Sequence, residues 1–101
     1  MVVTSKTKLL VVSPSFQRAL DFMRASGISE REVSVVLEPE QAYGLRGGYF
    51  VDLWFPGAGR FEVRDRIRQV LLQYAEFDTL FENSFVAAVE QKRSLQRAMT
   101  A

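Results

Sequence analysis

Arg60, Arg64 and Arg68 recur every four residues, directly after the run Phe55-Pro56-Gly57-Ala58-Gly59. A helix starting there would carry all three guanidinium groups on one side. Its N-terminus, reached through glycines, would present free backbone N–H groups and a partial positive charge, which together receive anions. Gly57, Gly59, Arg60, Arg64 and Arg68 are therefore the candidate anion-binding residues. The competing reading is a plain turn and helix cap. No G-x-x-x-x-G-K-[ST] loop exists, and Gly57-Ala58-Gly59 runs into Arg60, Phe61 and Glu62 rather than completing G-x-G-x-x-G. The same arginines could contact the phosphates of a nucleic acid. Glu62 and Asp65 interrupt them, and Glu62 can pair with Arg66 at i, i+4, so a solvated, partly neutralised face is the stronger expectation.

Other chemistry is limited by what the chain lacks. It contains no cysteine and no histidine, which excludes disulfides, thiolate zinc sites, cysteine nucleophiles and imidazole-based triads. Asp52 stands alone inside the apolar run YFVDLWF, where solvent at an edge strand or an arginine partner would satisfy it. Glu38 and Glu40 flank Pro39 at the end of a strand-like segment, a position where α/β proteins often bind ligands. A carboxylate enzyme would need these three acids to converge, and no base or nucleophile partner accompanies them. The expectation is a protein without catalytic residues, bound metal or cofactor.

The elements that must position these residues follow from hydrophobic spacing. Lys8 to Ser13 is a short apolar β-branched run, expected as a strand buried on both faces. Ser13-Pro14-Ser15 starts a helix, with Pro14 suited to its first position; Phe16, Ala19, Leu20 and Met23 share one face, and Gly27 stops it. Val33 to Leu37 reads as a second strand, and strand–helix–strand implies a parallel βαβ unit. Pro39 and Gly44 limit the next segment to a single helical turn. Tyr49 to Phe55 is the third strand, with Tyr49, Val51, Leu53 and Phe55 on one side and Phe50, Asp52 and Trp54 on the other. A helix is expected from Arg60 to about Phe77, with Val63, Ile67, Val70, Leu71 and Tyr74 inward, and a second from an Asp78 cap. The fold class is α/β: a small three-stranded parallel or mixed sheet, βαβ then β, packed by helices, two of them C-terminal.

With 101 residues, 48% apolar and 25% charged, the chain reads as one domain over residues 1–101. Its formal charge of +1 supplies no bulk attraction to nucleic acid or anionic membrane. No run is long enough to span a membrane, and MVVTSKTKLL lacks the features of a signal peptide, so a cytoplasmic protein is expected.

Eight phenylalanines, three tyrosines and one tryptophan are many rings for this length. Either both faces of the sheet are covered or one is an aromatic patch suited to a partner. The apolar face of the final helix, residues 78–99, also outlasts what a small sheet needs. Trp54, Phe85, Val89, Leu95 and Met99 are the candidate interaction surface, for a homodimer or for another protein.

The order KLLVVSPSFQRALDFMRASGIS, VSVVLEP and LRGGYFVDLWFPG resembles small α/β proteins encoded by actinobacterial bacteriophages. The likeness covers Lys8 to Pro56 and rests on Leu45, Arg46, Gly47 and the hydrophobic pattern. Such proteins look like reduced relatives of nucleotide-binding folds, often without the phosphate loop. The resemblance implies a phage accessory protein that binds a host protein; nucleotide hydrolysis does not carry over, because the loop lysine and a strand-terminal acidic pair are missing. The expected function is a non-catalytic interaction protein, with a nucleotide or nucleic-acid binder at residues 57–68 as the rival.

Overall fold

The computed structural model describes residues 7–100. The expectation about a leader rests mainly on residues 1–6, which lie outside them. Four strands, β1 (Lys8–Val12), β2 (Ser34–Val36), β3 (Gly48–Asp52) and β4 (Phe77–Leu80), form a single sheet in the order β2-β1-β3-β4, and every pairing is parallel. A parallel sheet must be covered on both faces. Residues Leu9 to Val12 of β1 are accordingly all buried, two toward each side.

Helices α1 (Phe16–Ser26) and α3 (Glu82–Thr100) cover one face. Ala19, Phe22 and Met23 of α1 meet Phe85, Ala88 and Val89 of α3 over Leu9, Val11 and Val51. The other face is covered by a 3₁₀ turn (Pro39–Ala42), helix α2 (Phe61–Gln69) and a π-helical turn (Val70–Tyr74). There Ile67, Leu71 and Ala75 pack on Leu10, Val12, Phe50 and Phe77. Both faces are thus covered, and the aromatic strand β3 is interior.

The α/β class and the βαβ start are as expected. Ser15 caps α1 by accepting from the Arg18 backbone N–H at 3.2 Å, and Pro14 lies just before that cap rather than at the first helical position. Gly27 ends the helix, with Ile28 N–H donating to the Met23 carbonyl at 2.8 Å.

The C-terminal half departs from expectation. In place of two C-terminal helices beyond a three-stranded sheet, Phe77–Leu80 forms a fourth strand and one long helix follows it. The helix after β3 stops because Glu76 takes a left-handed backbone, φ 60°. Nothing in its residue type announces this, whereas a glycine there would have. The π turn also shifts the helical phase by one residue. Ala75 is therefore buried, and Tyr74, expected inward, is 67% exposed.

Gly48 allows β1 and β3 to pair closely. A Cβ there would collide with the Lys8 carbonyl oxygen and the Phe77 ring. On the α1/α3 face, Arg93 grips Glu32 through Nε and Nη2 at 2.7 and 2.8 Å, tying the loop after α1 to α3. These hydrogen bonds hold the Glu32 carboxyl below the usual carboxylate range, outweighing the opposing effect of burial.

Two stability outcomes follow. Glu76→Gly removes a left-handed strain from an exposed position and is expected to stabilise the fold by about 0.5–1 kcal/mol, read as a raised midpoint in thermal or urea unfolding. Because the folded pKa of Glu32 is depressed, its contribution is lost as pH falls through that lowered folded value and is fully present only above the ordinary glutamate pKa. Glu32→Gln should lower Tm by a few degrees at neutral pH and by progressively less below that value.

Candidate functional site

The strand order sends neighbouring chains in opposite directions. From β1 the chain leaves toward α1 on one face, and from β3 it leaves toward α2 on the other. This reversal at the carboxyl ends of parallel strands is where open α/β sheets form ligand crevices. Every loop at that edge belongs to the segment 13–15, 37–38, 53–60 or 81.

Asp52, at the carboxyl end of β3, organises the edge. Its Oδ1 accepts the Trp54 backbone N–H at 3.0 Å. Its Oδ2 accepts Arg64 Nε at 2.8 Å and Arg68 Nη1 at 3.2 Å. The carboxylate is only 11% exposed, so two charge-assisted bonds and a backbone bond replace its lost water. Asp52 thus takes the arginine partner that its sequence context suggested, although β3 is not an edge strand. Arg60 pairs with Glu38 at 2.6 Å, one turn nearer the start of α2. The stripe Arg60, Arg64, Arg68 is consequently engaged by carboxylates at or just beyond the strand ends. Arg68 also lies 6.0 Å from the centroid of the Phe50 ring.

The glycine turn is built on Trp54. The indole Nε1 donates to the Gly59 carbonyl at 2.8 Å, and Ala58 N–H donates to the Phe55 carbonyl at 3.0 Å. Gly59 and Arg60 are both left-handed, with φ 72° and 55°. Gly57 could accommodate a Cβ, so only Gly59 is required by backbone conformation. No side chain caps the N-terminus of α2.

Arg18 was not singled out in the sequence. It projects from α1 across the reversal point, donating through Nε to the Leu53 carbonyl at 3.3 Å. Its guanidinium approaches Glu82 at 3.7 Å and lies 5.9 Å from the Phe55 ring centroid. Its partners stand far away in sequence, on β3 and α3, and no local spacing signals them.

Between α2 and the ends of β3 and β4 lies a cleft of about 500 Å³, bounded by Asp52, Trp54, Arg64, Arg68, Thr79 and Phe81 among others. Around the same edge Phe16, Phe55, Phe61 and Phe81 are exposed, Phe81 to 88%. The sequence-predicted interaction surface is only partly available. Phe85 and Val89 are buried in the chain's own core, because they are the residues by which α3 covers the sheet. Trp54 is half-buried, and Leu95 and Met99 are exposed on the distal turns of α3. Glu38 and Asp52 are each engaged by arginine, and among the described residues no group of three or more acidic side chains could hold a metal ion.

At the opposite edge Lys92 Nζ donates to the Thr7 carbonyl at 2.5 Å. Burial, and to a smaller extent the neighbouring Lys8 charge, lower its pKa. Among the described residues no helix is long and apolar enough to cross a membrane.

The fold and site define an α/β protein of three layers with an arginine-bound aspartate at the carboxyl edge. Comparison with known proteins found no match, whether family model, curated protein or solved structure.

The unequal burial of the two carboxylates, Asp52 and Glu38, has a measurable consequence. Asp52→Ala leaves two half-buried guanidinium groups without their acceptor and should cost about 2 kcal/mol in urea unfolding. Glu38→Ala breaks a pair that is nearly half exposed on both sides and should cost under about 1 kcal/mol.

Proposed function

We propose that this chain is a small non-catalytic interaction protein that binds a protein partner through the aromatic rim at the carboxyl edge of its sheet. The observation that carries this reading is the gathering of Phe16, Phe55, Phe61 and Phe81, from four separate segments, as exposed rings at one edge. Large rings beside arginines are the residue types that dominate protein interfaces. The Arg18 guanidinium lies over the Phe55 ring. The role fits a phage-type accessory protein acting on a host protein in the cytoplasm, in keeping with the sequence likeness.

A second contact supports self-association. Leu95 and Met99 extend the apolar face of α3 past Phe85, Ala88 and Val89, the part that covers the sheet. A nucleic-acid stripe at Arg60, Arg64 and Arg68 has less support, since each of these arginines is bound to a carboxylate.

The test uses the full chain and a Phe16→Ser/Phe61→Ser/Phe81→Ser variant, all at exposed positions. Proteins bound by the wild type are quantified against the variant, and oligomeric state is measured by light scattering across concentration. The expected result is a partner, or a second copy, retained by the wild type and weakened at least tenfold in the variant. Equal binding by both chains, or a strictly monomeric wild type that retains nothing, overturns the reading.

A further inference from the structure

The cleft beneath the aromatic rim has a composition that a protein interface does not require. Arg64 and Arg68 share a single carboxylate oxygen, because the other oxygen of Asp52 is held by the Trp54 backbone. Each guanidinium therefore gives Asp52 only one bond, where a fork-to-fork pair would give two. Arg64 makes one further contact, Nη1 to Asp65 at 3.9 Å, on the exposed side. The remaining N–H donors of both groups have no acceptor among the described side chains.

In the lining, Arg64 and Arg68 stand against Asp52 and Glu82, and Glu82 is drawn toward Arg18 at 3.7 Å, so the cleft is charge-balanced before a ligand enters. The volume, about 500 Å³, far exceeds what a bare inorganic anion fills. The rest of the wall is suited to a flat body: the Trp54 indole, fixed by its bond to the Gly59 carbonyl, and the Phe81 ring. Thr79 adds a hydroxyl from β4.

We propose that this cleft binds a phosphate monoester carried on a flat ring, an aryl or nucleoside phosphate. The phosphate sits against the unused donors of Arg64 and Arg68. A tetrahedral phosphate offers enough oxygens to meet both guanidinium groups while Asp52 keeps its own bonds, which a carboxylate with two oxygens does less well. The ring lies between Trp54 and Phe81, where stacking is indifferent to the identity of the base or aryl group. No hydrolysis is implied. The proposal does not rest on the protein-partner reading, and either can fail alone.

Trp54 is the sole tryptophan of the chain, so its fluorescence reports on the cleft directly. The probes are phenyl phosphate and adenosine monophosphate, with inorganic phosphate, phenol and benzoate as partial ligands, each titrated at low salt. Expected is a saturable change with both phosphate monoesters, and at least tenfold weaker binding of inorganic phosphate, phenol and benzoate. Arg64→Ala/Arg68→Ala should weaken phenyl phosphate at least tenfold. Arg68→Lys keeps the charge but loses the planar fork, and should weaken it several-fold should the double variant fail to fold. Phe81→Ala, at a position exposed enough to leave folding intact, should weaken phenyl phosphate several-fold and leave inorganic phosphate unchanged. No saturable response to either monoester overturns the proposal. So does binding that is equal in wild type and the arginine variants, or benzoate binding as tight as phenyl phosphate.

Discussion

The constraint on which this structure depends is that all its strands are parallel. Parallel neighbours cannot be joined by a tight hairpin, so each connection must run back along the length of the sheet and cover one of its faces. In a chain this short, the connections are also the two outer layers. Helix α1 and the α2–π segment serve in this way, and α3 completes the face that α1 leaves half covered. Only the passage from β2 to β3 economises, replacing a full helix with the 3₁₀ turn Pro39–Ala42, which the adjoining α2 helps to cover. The same constraint gathers every strand-to-layer loop at one edge. The carboxyl edge is thus the one place where residues from β1, β2, β3 and β4 can meet without disturbing the core.

How much of this was legible in the sequence depended on whether the signal was local. The burial of β1 could be read from KLLVVS, because an uninterrupted apolar run has no solvent side. The αL stop at Gly27 was visible because glycine has that conformational specialty, and the helix entry at Ser13-Pro14-Ser15 was visible too, although the cap is Ser15, after Pro14 rather than before it. β4 was hidden for the opposite reason. Glu76 adopts the left-handed backbone that ends the preceding segment, and glutamate is not a residue that announces it. With that break unseen, Tyr74, Phe77, Phe81 and Phe85 can be threaded at helical spacing, though they belong to a π turn, a strand, a loop and a helix. Phe85 and Val89 were misplaced as surface because a helix pattern shows that a face is apolar but not which neighbour covers it.

The arginines illustrate a limit of reading charge along one element. On α2 alone, residues at 60, 64 and 68 form a basic stripe, and the only acids within reach are Glu62 and Asp65. In the fold, the acids that matter are Glu38 and Asp52, at the ends of two strands. The stripe is then an attachment, fastening the first turns of α2 to the sheet where its N-terminus lacks a side-chain cap. All three guanidinium groups of the stripe are engaged by carboxylates within the chain. Arg64 and Arg68 are the exception in degree, because one carboxylate oxygen has to serve both.

The exposed phenylalanines cannot be explained as rings for which the core had no room. Both hydrophobic clusters close without them, and the core fully buries Phe50, Phe77 and Phe85. Scattered single apolar residues on a surface need no explanation, but four large rings at one edge are exposed apolar area that core packing does not account for. The distal end of α3 is a different case. That helix starts beside the carboxyl edge after β4, and Lys92 has already reached Thr7 at the opposite edge. Leu95 and Met99 therefore lie at the far end of a molecule 44 Å long. The two apolar surfaces are separated by the length of the sheet, so a contact made by α3 leaves the aromatic rim and its cleft open. Association at one end and recognition at the other are then compatible in the same chain.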